Sequence, residues 1–169
     1  MSKTIGSFIL ALSLALGFSG CGPSSTSNPN VADGPSHDHA HGHEHHAPHG
    51  GTAVVLGAEA YHIEFVLDAA AGQLSAYVLD GEMENFIRIQ APAIEVVAQL
   101  PAGEQTLLFK PVANSATGET ELDTSLYRAS SEWLRVTPKF DGVIKSITVR
   151  GQEFKSVPFN FPRGNEHHH

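Results

Sequence analysis

The sequence predicts an all-β fold: an antiparallel β-sandwich of about seven or eight short strands, set behind a leader peptide and a histidine-rich linker. Three observations carry this expectation. Between Gly51 and Arg163 the apolar residues recur mainly with period two. Turn formers such as Asp80-Gly81, Ala91-Pro92 and Arg150-Gly151 break the runs at roughly ten-residue spacing. No window sustains a helical period over three turns. The strand number fits an immunoglobulin-like sandwich, a small closed barrel is the alternative, and the alternation with one polar face argues against a buried parallel sheet.

The strand-like pattern starts near Gly51. Tyr61, Ile63, Phe65 and Leu67 alternate with Ala60, His62, Glu64 and Val66, which places His62 and Glu64 on the polar face of one strand. Asp68 to Gly72 reads as a turn, and Leu74, Ala76 and Val78 as the return strand, with Tyr77 and Leu79 on its other face. Further apolar runs fall at 86–89, 94–98 and 106–112. Residues 113–126 read as a polar loop, and Tyr127-Arg128-Ala129 as a short strand. Ser130 to Arg135 forms one helical turn with a serine cap and Trp133 packed inward. A last hairpin carries Val143, Ile147 and Val149 up to Arg150-Gly151-Gln152, and Phe154, Val157, Phe159 and Phe161 back.

Upstream of this domain the chain changes character. Residues 1–20 hold Lys3, an apolar run from Ile5 to Phe18, and the small residues Ser19 and Gly20, the layout of a secretory signal. The run is shorter than the ~20 apolar residues of a spanning helix. Phe18-Ser19-Gly20-Cys21 resembles the lipobox of bacterial lipoproteins. The resemblance implies lipidation of Cys21, a mature chain beginning there, and anchoring in the cell envelope. Gly22 in place of Asp favours the outer membrane, facing the periplasm. Residues 22–36 are rich in Pro, Ser, Asn and Gly with Val31 the one large apolar side chain, so residues 21–50 read as a disordered tether. The domain expectation is therefore leader 1–20, tether 21–50, sandwich 51–163 and a His-containing tail 164–169.

The formal net charge is −8, from 18 Asp and Glu against 10 Lys and Arg. That balance excludes nucleic acid as a partner and favours attraction of cations. Cys21 is the sole cysteine, so once it is acylated neither disulfides nor thiolate ligands remain.

Seven of the eleven histidines stand at His37, His39, His41, His43, His45, His46 and His49. Neutral imidazole binds Zn, Cu, Ni and Co. Ligands at every second position can wrap an exchangeable cation in many registers, with poor selectivity among metals. Histidines near pKa ~6.5 also read as a pH sensor. His167, His168 and His169 repeat the theme at the C-terminus. Within the domain, His49, His62, Glu64 and Glu82 are a candidate first shell if the Asp80-to-Glu84 turn lies near the start of the first strand.

Catalytic motifs are missing: no phosphate-binding Gly-rich loop, no His-Glu-x-x-His, no nucleophile elbow. The expectation is a protein that is not an enzyme.

The stretch from His46 to Asp80, HHAPHGGTAVVLGAEAYHIEFVLDAAAGQLSAYVLD, resembles the start of small envelope proteins and adaptor segments linked to heavy-metal efflux. The shared marks are a His-rich lead, His-Gly-Gly before the first strand, and a paired-strand segment ending in Val78-Leu79-Asp80. The whole chain is similar to envelope lipoproteins of planctomycete-type bacteria. The resemblance implies metal handling through His46, His49 and His62, with an envelope efflux component as partner. The reading is thus a lipid-anchored envelope protein that binds or buffers divalent transition metals, Zn or Cu first. The alternative is an interaction lipoprotein whose sandwich docks an envelope partner.

Overall fold

The computed structural model describes residues 46–165. Residues 1–20, Cys21, the histidines from His37 to His45 and His167 to His169 lie outside the described residues.

Eight strands form in chain order: β1 Thr52–Leu56, β2 Tyr61–Asp68, β3 Gln73–Asp80, β4 Ile94–Leu100, β5 Gly103–Pro111, β6 Leu126–Ser130, β7 Phe140–Val149 and β8 Gln152–Phe161. The described residues contain no α-helix. No helix among them is long and apolar enough to cross a membrane. Every paired neighbour is antiparallel, in the spatial order β1-β2-β3-β6-β5-β4-β7-β8. The fold is all-β, as the alternating pattern predicts.

The sheet is one nearly closed layer. β5 makes the corner: it pairs with β4 from Gly103 to Phe109, and only Lys110 and Pro111 reach β6. At the opposite side β1 and β8 approach each other. There Asn165 stands in for a strand partner. Its Oδ1 accepts from the Val55 N–H at 2.7 Å, and its Nδ2 donates to the Val55 carbonyl at 3.1 Å. The unpaired edge of β1, a template for unwanted strand addition, is thereby occupied by the chain's own amide. Asn165 lies two residues past the expected boundary at 163.

Side chains from both halves fill the interior. Phe65, Phe109, Tyr127, Leu74, Ile94 and Ile144 are fully buried. Phe159 stacks on Phe65 with centroids 4.9 Å apart. It also lies over its register partner Gly142, where an added Cβ would meet the ring at 2.5 Å. A glycine in a strand interior marks such a close approach.

Two expectations change. Residues 86–89 are not a strand. They make isolated bridges, Leu79 with Phe86 and Ile89 with Thr124. Ile87 and Ile89 still point into the core, and the Tyr127 hydroxyl is directed at the Ile89 and Ala91 carbonyls, 3.2 and 3.0 Å away. Second, the helical turn is a 3-10 turn over Glu132–Arg135, and Ser131 makes no side-chain cap bond. Leu134 is its fully buried residue, while Trp133 is only partly buried and meets Phe140 edge-on at 5.3 Å. In β7 Ile144 is fully buried and Val143 only partly so. The inward parity shifts by one between the pairs Ile144–Val157 and Ser146–Lys155, beside Ser156 at φ 51. A backbone irregularity of this sort moves the next side chain to the other face.

Candidate functional site

Two glycines build the site. Ala47 to Gly50 form a turn closed by the Gly50 N–H on the Ala47 carbonyl at 2.9 Å, with Gly50 at φ 67. Gly51 then runs so close to β2 that a Cβ would lie 2.5 Å from the Phe65 carbonyl. This is the physical content of the His49-Gly50-Gly51 motif. The first glycine supplies the left-handed turn. The second lets the backbone reach the sheet.

That approach delivers three nitrogens to one carboxylate. Glu64 Oε1 accepts from the His49 and Gly51 backbone N–H groups, each at 2.8 Å. Glu64 Oε2 lies 2.8 Å from His49 Nδ1. Glu64 itself is fully buried. Since the carboxylate accepts, Nδ1 carries the ring proton, and Nε2 is left as the basic nitrogen of the imidazole. The ring is fixed from the side as well: it stacks on Tyr77 at 3.9 Å and 18°. Tyr77 is the register partner of Glu64 across β2 and β3, so both hold His49 from one patch of the outer face.

The polar-face assignment of His62 and Glu64 is corrected here, since both are fully buried. The alternation itself is right. The outer face of β2, however, is not bathed in water at these positions, because the 47–51 turn covers Glu64. His62 Nδ1 lies 3.2 Å from the Asp80 carbonyl. Its register partner Leu79 is likewise fully buried.

The Asp80 turn is organised by its own carboxylate. It accepts the backbone N–H groups of Glu84 and Asn85 at 3.0 and 3.2 Å and the Asn85 side-chain amide at 2.6 Å. Burial alone would raise this group's pKa. The hydrogen bonds from Asn85 and Glu84 outweigh it and hold Asp80 below its ordinary value. Met83 is buried and Glu82 exposed at the tip.

Of the four expected ligands, the structure joins His49 to Glu64 and does not assemble the full set. The described residues contain no group of three or more His, Cys, Asp or Glu that could hold a metal. Both Glu64 oxygens are taken by the root of the arm. His46 is exposed three residues before His49.

Sequence reasoning missed the surroundings of His49. Phe86, about half exposed at 48%, lies 5.7 Å from the His49 ring and 6.0 Å from Tyr77. Together they floor a cleft of about 430 Å³ that Glu84, Arg88 and Glu119 also line. The far wall comes from the 112–125 loop, which Glu119 pins: its carboxylate accepts the Ser125 N–H and hydroxyl at 2.8 and 2.6 Å and the Thr117 hydroxyl at 2.6 Å. The one available signal was Tyr77, an aromatic side chain on an outer strand face.

The chain matches no protein-family model, no curated protein and no solved structure.

Proposed function

We propose that this chain is a lipid-anchored protein of the bacterial cell envelope, held through Cys21 at the outer membrane facing the periplasm. Its histidine-rich arm binds and buffers exchangeable divalent transition metals, Zn or Cu foremost, and can hand them to an envelope efflux component. It acts by binding, with no catalytic step. The observation that carries this reading is the placing of seven imidazoles within residues 37–49 of an acidic chain. Imidazoles at alternate positions offer many interchangeable two- and three-ligand registers, which suits capture and release better than tight storage. The geometry adds support at the arm's base, where Glu64 ties the last of these histidines to the rigid sheet.

Deleting 37–47 tests the proposal. The deletion removes His37, His39, His41, His43, His45 and His46 and leaves every core residue in place. Calorimetric titration with Zn²⁺ should show most of the bound metal lost while thermal unfolding of the domain is unchanged. Equal Zn²⁺ stoichiometry in the deletion and the intact chain would refute the arm as the metal-binding element. The alternative, an interaction lipoprotein with incidental histidines, predicts no Zn²⁺ uptake by either.

A further inference from the structure

We infer that His49 is a preorganised anchor ligand, so that the first metal ion taken up is bound through His49 Nε2 and more tightly than those that follow. The inference rests on the arm reading above and deepens it, turning one position of the histidine-rich tract into a defined starting point.

The argument is geometric. A metal-ligating imidazole commonly gives its other ring nitrogen to a carboxylate, which fixes tautomer and orientation and makes the ligating nitrogen more basic. Glu64 makes this contact with His49 Nδ1 at 2.8 Å from a fully buried position. The carboxylate is itself immobilised by the backbone N–H groups of His49 and Gly51. Tyr77 fixes the plane of the ring. Yet the His49 side chain remains 36% exposed, so a cation can reach it. The other histidine of the folded domain, His62, is fully buried with Nδ1 near the Asp80 carbonyl.

One ligand is not a site. The described residues supply no third partner, and His46 stands within about 10 Å of chain from His49. The shell is therefore completed by His46 and by water. Holding one ligand in place removes part of the ordering cost of the first binding event. Later ions bind registers with no such fixed member.

The test is a Zn²⁺ titration of the full chain, with a competing chelator to resolve the first equivalent. The wild type should show one tight step followed by weaker ones. His49→Ala should lose the tight step and keep the weaker ones. Glu64→Gln should weaken the tight step about 10–100-fold. Its amide would donate to Nδ1, and the proton would then move to Nε2, the nitrogen the metal needs. That change is directly visible in the ¹⁵N shifts of the His49 ring, a readout that a purely structural role for Glu64 would leave alone. If Glu64→Gln does not fold, His49→Ala alone decides. A His49→Ala isotherm superimposable on the wild type overturns the anchor and leaves the arm reading standing. Absence of Zn²⁺ binding by the wild type overturns both.

Discussion

Glu119 and Glu64 are both buried carboxylates, and each is given enough donors to be tolerated there. For Glu119, burial by itself would raise the pKa. The hydrogen bonds from Ser125 and Thr117, with Arg88 nearby, outweigh it and hold the group below its ordinary 4.5. A carboxylate whose folded pKa is depressed adds stability above its unfolded pKa, and that stability is lost as pH falls through the folded value. The domain should therefore keep its melting temperature from neutrality down to about pH 4.5 and lose it progressively below. In Glu119→Gln the loss on acidification should be shallower, measured as melting temperature against pH. A slope identical to the wild type would show that the Glu119 carboxylate is not a source of the acid sensitivity. The burial of neither carboxylate could be read from sequence. Period-two alternation assigns Glu64 to the outer face, which is correct, but it is blind to a turn that later folds over that face. Glu119 sits in a loop with no period at all.

At the scale of elements, hairpins were legible and irregularities were not. β2 and β3 follow the alternation of Tyr61 to Leu67 and Leu74 to Val78, and the turn between them closes as Asp68 accepts the Ala71 N–H at 2.9 Å. The β7–β8 hairpin was equally clear at Arg150-Gly151, both at positive φ. The parity shift near Ser156 was not legible there, because it is a backbone event with no side-chain signature. Residues 86–89 alternate like a strand but lack a ladder, since they bridge Leu79 at one end and Thr124 at the other. Gly142 shows how tightly the β7–β8 hairpin meets the core. A methyl there would collide with Phe159, which is held by Phe65 and Phe140. Gly142→Ala should cost about 1–3 kcal/mol through overpacking, even though alanine suits a strand better than glycine. Chemical denaturation would measure it, and a stabilised variant would show that Phe159 can swing away at little cost.

For the molecule as a whole, the fold class was accessible because eight runs with one polar face leave antiparallel layers as the economical solution. The seam itself was not accessible, because the side chain that bonds the free edge of β1 comes from Asn165, beyond the last strand. Gly164 approaches β1 so closely that a Cβ would sit 2.2 Å from the Ala53 carbonyl, and this lets Asn165 satisfy both backbone groups of Val55. β1 is also the strand that follows directly from Gly51, so the seam and the root of the arm share one element. Asn165→Ala removes two hydrogen bonds at about 1 kcal/mol each, part of which water restores at an opened edge. Amide exchange should therefore quicken at Val55. The amide of Val78, inside the sheet and bonded to the Ser125 carbonyl, should exchange as in the wild type. Equal protection of Val55 in both proteins would mean that β1 and β8 hold the seam without Asn165. The opposite result, loss of protection spreading from Val55 to Gly51, would show that closing the sheet is what keeps the Glu64 cradle rigid beneath His49.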